Sequence, residues 1–191
     1  MIDFLNNVDS QLFLALNELH TDFLDPIMKA LSGKWIWVPF YIILLFLVWR
    51  DHNQKQPALA LRRTLLTLMC ITLAITLADQ ICASALRPLV ERPRPANEDS
   101  AICELVHIVD GYRGGHYGFP SCHAANAFAL SAFIIMLFRN KIAIIGMLAW
   151  AILLCYTRIY LGVHYPGDLL VGAIIGSCIG ICCYMLYSYL Y

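Results

Sequence analysis

Charge is scarce in this chain: Asp, Glu, Lys and Arg make up 14% of its 191 residues, where a soluble domain carries about a quarter. Thirteen basic residues cancel thirteen acidic ones. There is therefore no basic field and no Lys/Arg-rich tail, and a nucleic-acid partner is not expected. No Cys-x-x-Cys pair occurs among the eight cysteines, which argues against structural zinc. Six of them (Cys70, Cys82, Cys155, Cys178, Cys182 and Cys183) lie in apolar runs, where cysteine behaves as a small hydrophobe. Only Cys103 and Cys122 stand near polar sequence, so a disulfide framework is not expected. His20, His52, His107 and His116 form no i,i+4 pair and read as solvated rather than as metal ligands. The first residues, MIDFLNNVDSQLF, lack a basic n-region, a continuous apolar core and a small-residue cleavage site. Membrane insertion is expected to rely on internal spans. There is no internal repeat and no low-complexity segment.

What is abundant is apolar: 60% of residues, with a mean hydropathy of +0.68. A soluble domain of this length has no interior large enough for that surface, so the chain reads as an integral membrane protein. Apolar runs near 35–50, 64–86, 123–138, 142–160 and 167–190 give five candidate spans, the first and third short. In residues 2–19, Ile2, Leu5, Leu12, Leu16 and Leu19 recur near helical spacing among polar residues, the pattern of a helix lying at the interface. Residues 22–32 read as a further short helix with Pro26 in its first turn. The expected architecture is an all-α integral membrane helical bundle of five to six embedded helices plus an N-terminal interfacial helix, one domain over 1–191. Trp35, Trp37, Tyr41, Tyr184, Tyr187, Tyr189 and Tyr191 suit interfacial anchoring. Gly172, Gly176 and Gly180, at four-residue spacing, suit close helix packing within the bundle.

Short loops at 51–63 and 139–141, with Arg50, carry six cations: Arg50, Lys55, Arg62, Arg63, Arg139 and Lys141. The opposite face receives the long segment 87–122, the turn 156–168 and nearly all the acid. By the positive-inside rule the short loops are cytoplasmic and the long segment lies outside. Residues 93–119 form the only loop long enough for a lid or a substrate-reading surface.

Arginines at a membrane boundary are costly without anionic partners, yet Arg87, Arg92 and Arg94 cluster where the second span ends, and Arg158 closes the fourth. With alternating spans these converge with Pro120-Ser121-Cys122-His123 at the start of the third and with His164 and Asp168 at the start of the fifth. Several guanidiniums suit a tetrahedral oxyanion, and the first turn of a helix at His123 adds free N–H groups. His164 and Asp168, four apart, permit a carboxylate to hold one imidazole nitrogen while the other stays free as a nucleophile. Asp79, at membrane depth, reads as an intrabundle hydrogen-bonding or ion-pairing group.

Arg87-x6-Arg94-Pro95, Pro120-Ser121-Cys122-His123 and Thr157-Arg158-x5-His164-x3-Asp168 resemble, in order and spacing, the three-part signature of the type-2 phosphatidic-acid phosphatase superfamily. That signature reads K-x6-R-P, P-S-G-H and S-R-x5-H-x3-D. Arg87 replaces Lys, Thr157 replaces Ser, and Cys122 stands where the family has a Gly whose N–H approaches phosphate. The resemblance implies a membrane lipid phosphatase related to vanadium haloperoxidases and inhibited by vanadate. It implies His164 as nucleophile forming a phosphohistidine, Asp168 orienting it, and His123 as general acid and base. Arg87, Arg94, Ser121, Cys122 through its N–H, and Arg158 are implied to bind phosphate. No cofactor or metal is implied. The substrate is expected to be a membrane lipid phosphate: undecaprenyl diphosphate or lipid A phosphate by preference, phosphatidylglycerol phosphate or phosphatidate otherwise. The expected location is a bacterial inner membrane, with the site on the periplasmic face. A noncatalytic lipid transporter or structural membrane protein retaining an anion site is the alternative.

Overall fold

The computed structural model describes residues 2–191, which form seven helices. Helix α1 spans Ile2–Asn17, α2 Leu24–Leu31 and α3 Val38–Lys55. Helix α4 spans Ala60–Gln80 and runs on through a π-helical segment, Ile81–Leu86, into a last turn, Arg87–Val90. Helices α5 (Cys122–Phe138), α6 (Lys141–Tyr160) and α7 (Pro166–Leu190) complete the chain. Four stretches (Trp35–Lys55, Pro57–Val90, Lys141–Tyr160 and Pro166–Leu190) are long and apolar enough to cross a membrane. The chain is a multi-pass membrane protein, and α5 is its shorter fifth apolar helix.

At 17 residues α5 measures about 26 Å, less than the hydrocarbon core of about 30 Å. It has no need to reach both surfaces, because α4, α6 and α7 surround it and Ala124, Ala125, Ala127, Ala129, Leu130, Phe133 and Ile134 are all buried. The closest neighbour is α7, and glycine sets the approach. A Cβ on Gly172 would lie 2.5 Å from the Ser121 carbonyl oxygen; on Gly176, 2.0 Å from that of Ala125; on Gly180, 2.3 Å from that of Ala129. The stripe thus packs within the chain, backbone on backbone.

Helices α1 and α2 lie outside this bundle at its site end. Phe4, Leu5, Val8, Leu12 and Phe23 stay exposed while Phe13 is buried against Tyr165, as an interfacial helix requires. Asn17 ties α1 down: its side-chain amide donates to the carbonyls of Ile159 (3.1 Å) and Tyr160 (3.0 Å), and its oxygen accepts from His107 N–H (2.8 Å). The six cations of the short loops cluster at the other end, where Arg63 covers the Tyr191 ring and Arg139 donates to the Tyr184 hydroxyl (3.3 Å).

Two aromatic and histidine expectations are corrected. Tyr187 is not an interfacial anchor: it is buried beside Phe133 and His52. His52 is not solvated: it sits inside α3, buried, 3.1 Å from the Thr67 hydroxyl. Both lie near helix ends that pack against one another, which single-chain periodicity does not reveal.

Substituting Gly176→Ala drives a methyl into the Ala125 backbone and is expected to cost about 1–3 kcal/mol, whereas Gly146→Ala, with nothing within 4 Å, leaves stability level or raised. Thermal or denaturant unfolding in detergent checks the pair, and equal stability of the two variants would refute this packing.

Candidate active site

The segment from the end of α4 to the start of α5 closes on itself. Gly118 N–H donates to the Arg92 carbonyl (2.9 Å) and Arg94 N–H to that of His116 (3.1 Å), so its two ends run side by side. Ala96 N–H reaches the Gly162 carbonyl (3.0 Å) in the turn before α7. A polar cluster fastens the outer loop to α2: His107 and the Tyr160 hydroxyl meet the Asp25 carboxylate at 3.0 and 2.6 Å. Burial pushes the Asp25 pKa upward, but these hydrogen bonds and the nearby His107 and His20 outweigh it and hold the carboxyl below its ordinary range.

All eight sequence-predicted site residues sit at this end of the bundle. His164 is the residue before the N-cap of α7, and Asp168 occupies the third helical position. Their separation from Nδ1 to Oδ2 is 3.4 Å, and they are 1% and 0% exposed. The same Oδ2 accepts the Tyr165 N–H (3.0 Å), so Asp168 caps the helix that carries it. Arg94 Nη1 lies 3.3 Å from His164 Nε2. A guanidinium only donates, so Nε2 bears the lone pair and Nδ1 bears the hydrogen; Nδ1 lies within ion-pairing distance of Asp168 but makes no hydrogen bond. Arg94 also donates to the carbonyls of Tyr117 (3.1 Å) and Val163 (3.2 Å).

Ser121 is the N-cap of α5, its hydroxyl 3.5 Å from Ala124 N–H and its own N–H bonded to the Asp168 carbonyl (3.0 Å). The caps of α5 and α7 are thereby joined, and His123 stands in the first turn of α5. Cys122, where the resembling family has glycine, turns its sulfur to Arg87, which donates to it at 2.9 Å. Cys103 is engaged elsewhere, with Arg113 at 3.3 Å, and both thiols are free. Arg158 is buried and bonded to the Ser32 hydroxyl, with the Tyr112 hydroxyl at 3.5 Å. The Nε atoms of Arg87 and Arg158 are buried without partners. Unpaired buried donors on these two guanidiniums suit an anion.

Electrostatics follow from this crowding. Burial, then Arg158 and Arg87, lower the Arg94 pKa to about 10, still fully charged at neutral pH. Burial, then Arg94, Arg158 and Arg87, hold His164 well below its ordinary value, so its imidazole is neutral with a free lone pair. A neutral imidazole beside cationic donors can attack an electrophile whose oxygens those donors hold. Among the described residues no three His, Cys, Asp or Glu side chains gather at metal-binding geometry.

Asp9 and Gly118 of this constellation were not singled out from the sequence, and Arg92, named in the arginine cluster, was given no role. Arg92 donates to Asp168 Oδ1 (2.8 Å) and to Asp9 Oδ2 (2.7 Å) and covers the Tyr165 ring at 3.9 Å. Asp9, on α1, accepts the Gly167 N–H through its other oxygen (2.8 Å). Gly118 leaves little room for a side chain: a Cβ there would lie 3.1 Å from Arg94 and 3.2 Å from Asp168. The Arg92-Pro93-Arg94-Pro95 doublet was a usable signal for Arg92. Asp9 carries none, being a lone acid on a distant interfacial helix.

A family model described as the PAP2 superfamily matches residues 65–191. A lipid A 4'-phosphatase of Bacteroides thetaiotaomicron is 49% identical over 177 residues, covering 93% of this chain and 76% of that protein. A lipid A 4'-phosphatase of Porphyromonas gingivalis is 33% identical, covering 98% of this chain and 76% of that protein. The crystal structure of Aquifex aeolicus LpxE has the same fold, with a TM-score of 0.61 at 24% identity, covering 94% of this chain and 93% of that one.

The depressed His164 pKa makes the fold sensitive to acid. Below about pH 6.5 the unfolded chain's imidazole takes a proton that the folded one refuses, so stability falls as pH drops and keeps falling toward the folded value. Between pH 7 and 5 the native protein is expected to lose more thermal stability than His164→Asn. Equal losses in the two melts would mean His164 is not held neutral.

Proposed function

The chain belongs to the PAP2 superfamily, and on that premise we propose that it removes the 4'-phosphate of lipid A through a phosphohistidine at the periplasmic face of a bacterial inner membrane. It is a membrane lipid phosphate phosphatase. The 4'-phosphate assignment is supported by the two lipid A 4'-phosphatases that match over nearly the whole chain.

One observation carries the mechanism: His164 offers an unprotonated Nε2 beside Arg94 while its Nδ1 lies 3.4 Å from the buried Asp168 carboxylate. Phosphate oxygens draw the guanidiniums of Arg87, Arg94 and Arg158 and the N–H groups at the start of α5 around themselves, and Arg94 leaves the Nε2 lone pair. Nε2 then forms a bond to phosphorus as the bond to the lipid oxygen breaks, and His123, protonated as imidazolium in the complex with the anionic substrate, gives that proton to the departing oxygen and becomes neutral. Asp168 stabilises the charge that appears on the imidazole. In the second half His123 takes a proton from water, the water oxygen bonds to phosphorus, the P–N bond breaks, and inorganic phosphate departs. Three guanidiniums take over the charge neutralisation that a divalent cation supplies in other phosphoryl-transfer sites. Ser121 belongs to this phosphate shell as the N-cap that fixes the α5 amides.

The periplasmic assignment is supported by charge. The six cations of the short loops lie at the end of the bundle away from His164, and cations favour the cytoplasmic side. The single-domain reading is supported by the way Asn17 and Asp9 bind α1 to the bundle.

Purified protein is expected to release phosphate from lipid A in EDTA, and His164→Ala to lower kcat by on the order of three to six decades. Near-normal turnover in the variant, or activity abolished by EDTA and restored by Mg²⁺, would overturn the mechanism; no release from lipid A or any other lipid phosphate would favour a noncatalytic anion site. Asp110→Cys is expected to react with an impermeant maleimide on intact cells and Lys55→Cys only after permeabilisation. The reverse pattern would put the site in the cytoplasm.

A further inference from the structure

A cavity of about 520 Å³ opens beside His123 between α3, α4, α5 and α6, within the range of small-ligand sites. Its deeper walls are hydrocarbon: Leu44, Val48, Ile71 and Leu130. Its upper part is not. Asp79 of α4 and Asn126 of α5 face it together with His123, and Asn126 lies one helical turn below His123 on the same side of α5. Asn126 Nδ2 donates to Asp79 Oδ1 at 3.2 Å. A carboxylate only accepts, so that bond fixes the amide: its nitrogen faces Asp79 and its oxygen faces away. Asn126 Oδ1 is buried with no partner. An intrabundle bond explains Asp79, but it leaves this acceptor orphaned at a real cost in a dry site.

We propose that Asn126 and Asp79 form a subsite for the leaving alcohol, taking a hydroxyl or amide N–H that lies next to the phosphate ester, while the apolar walls take one hydrocarbon chain of the same molecule. The subsite rests on the phosphatase reading above, in which His123 meets the departing oxygen. At Asn126 the unpaired atom accepts, so the ligand must donate there; the unpaired donor among the lining residues, Trp150 Nε1, belongs to α6 and not to this pair. A phosphorylated, N-acylated sugar lipid presents hydroxyl and amide donors beside its ester oxygen. A prenyl or simple alkyl phosphate presents only hydrocarbon, and the flanking esters of a diacylglycerol phosphate only accept. The subsite therefore selects sugar lipids, adding discrimination that the phosphate-binding arginines, which see the same group in every substrate, do not provide.

The test compares kcat/KM for lipid A and for dodecyl phosphate in the full-length protein and in the variants Asp79→Asn and Asn126→Leu, with vanadate inhibition as a check on the phosphate site. Each variant is expected to lose about tenfold or more on lipid A relative to its loss on dodecyl phosphate, the scale for removing a hydrogen bond that a site was built to make. Asp79→Asn, isosteric with the native side chain, carries the comparison if Asn126→Leu does not fold. Equal losses on the two substrates, with vanadate inhibition kept, would overturn the subsite and leave the phosphatase reading intact. A native protein that hydrolyses dodecyl phosphate but not lipid A would overturn both the subsite and the lipid A assignment.

Discussion

One buried carboxylate organises the site end of this protein. Asp168 is fully buried, and burying a charge is tolerable only with partners on both oxygens. Arg92 takes Oδ1 and the Tyr165 N–H takes Oδ2, with the His164 ring 3.4 Å from that same oxygen. Removing one partner of such a group costs about 3–5 kcal/mol, so the start of α7, the end of α4 and the imidazole are held as a unit. The Asp168 carbonyl extends that unit to Ser121 and the first turn of α5. Ser121 is anchored to this residue directly, and the His164 ring and then Arg94 lie against it in turn.

The glycine stripe of α7 gives that anchoring its precision. With the α5 and α7 backbones nearly touching at Gly172, Gly176 and Gly180, the helices have little freedom to slide, and their capped ends arrive at the membrane boundary in fixed register. Gly118 does the same within the loop, letting the chain press against Arg94 and Asp168 where a side chain would crowd them. The interfacial helix α1 is drawn into the arrangement by Asp9, which grips Arg92 and the α7 N-terminus together. A helix expected to serve as a surface element thus positions the carboxylate behind the imidazole.

Much of the site was legible because its chemistry is concentrated in short local patterns. His164 and Asp168 are one helical turn apart, Ser121 and His123 straddle a helix start, and Arg87 and Arg94 flank a proline-rich link. Such spacings survive in one dimension because each pair sits on one element or one stiff connection. The bundle was legible for a different reason: about twenty apolar residues in a row have no alternative in lipid but to form a helix. What escaped were Asp9, His52, Tyr187 and the orphaned Asn126 oxygen. Each owes its role to a residue from another helix.

The sequence by itself determined that the chain is a membrane helical bundle, that its arginines and histidines collect at one face, and that their spacing suits phosphoryl transfer. These follow from hydropathy, charge and helical period, which act along the chain. Only the tertiary structure decided which nitrogen of His164 keeps its lone pair, that Arg92 and Asp9 hold Asp168, that the Cys122 sulfur turns to Arg87, and that a cavity with an unpaired Asn126 oxygen lies beside His123. These depend on distances between helices that meet only in the folded bundle, where a few tenths of an ångström separate a hydrogen bond from an orphaned polar atom.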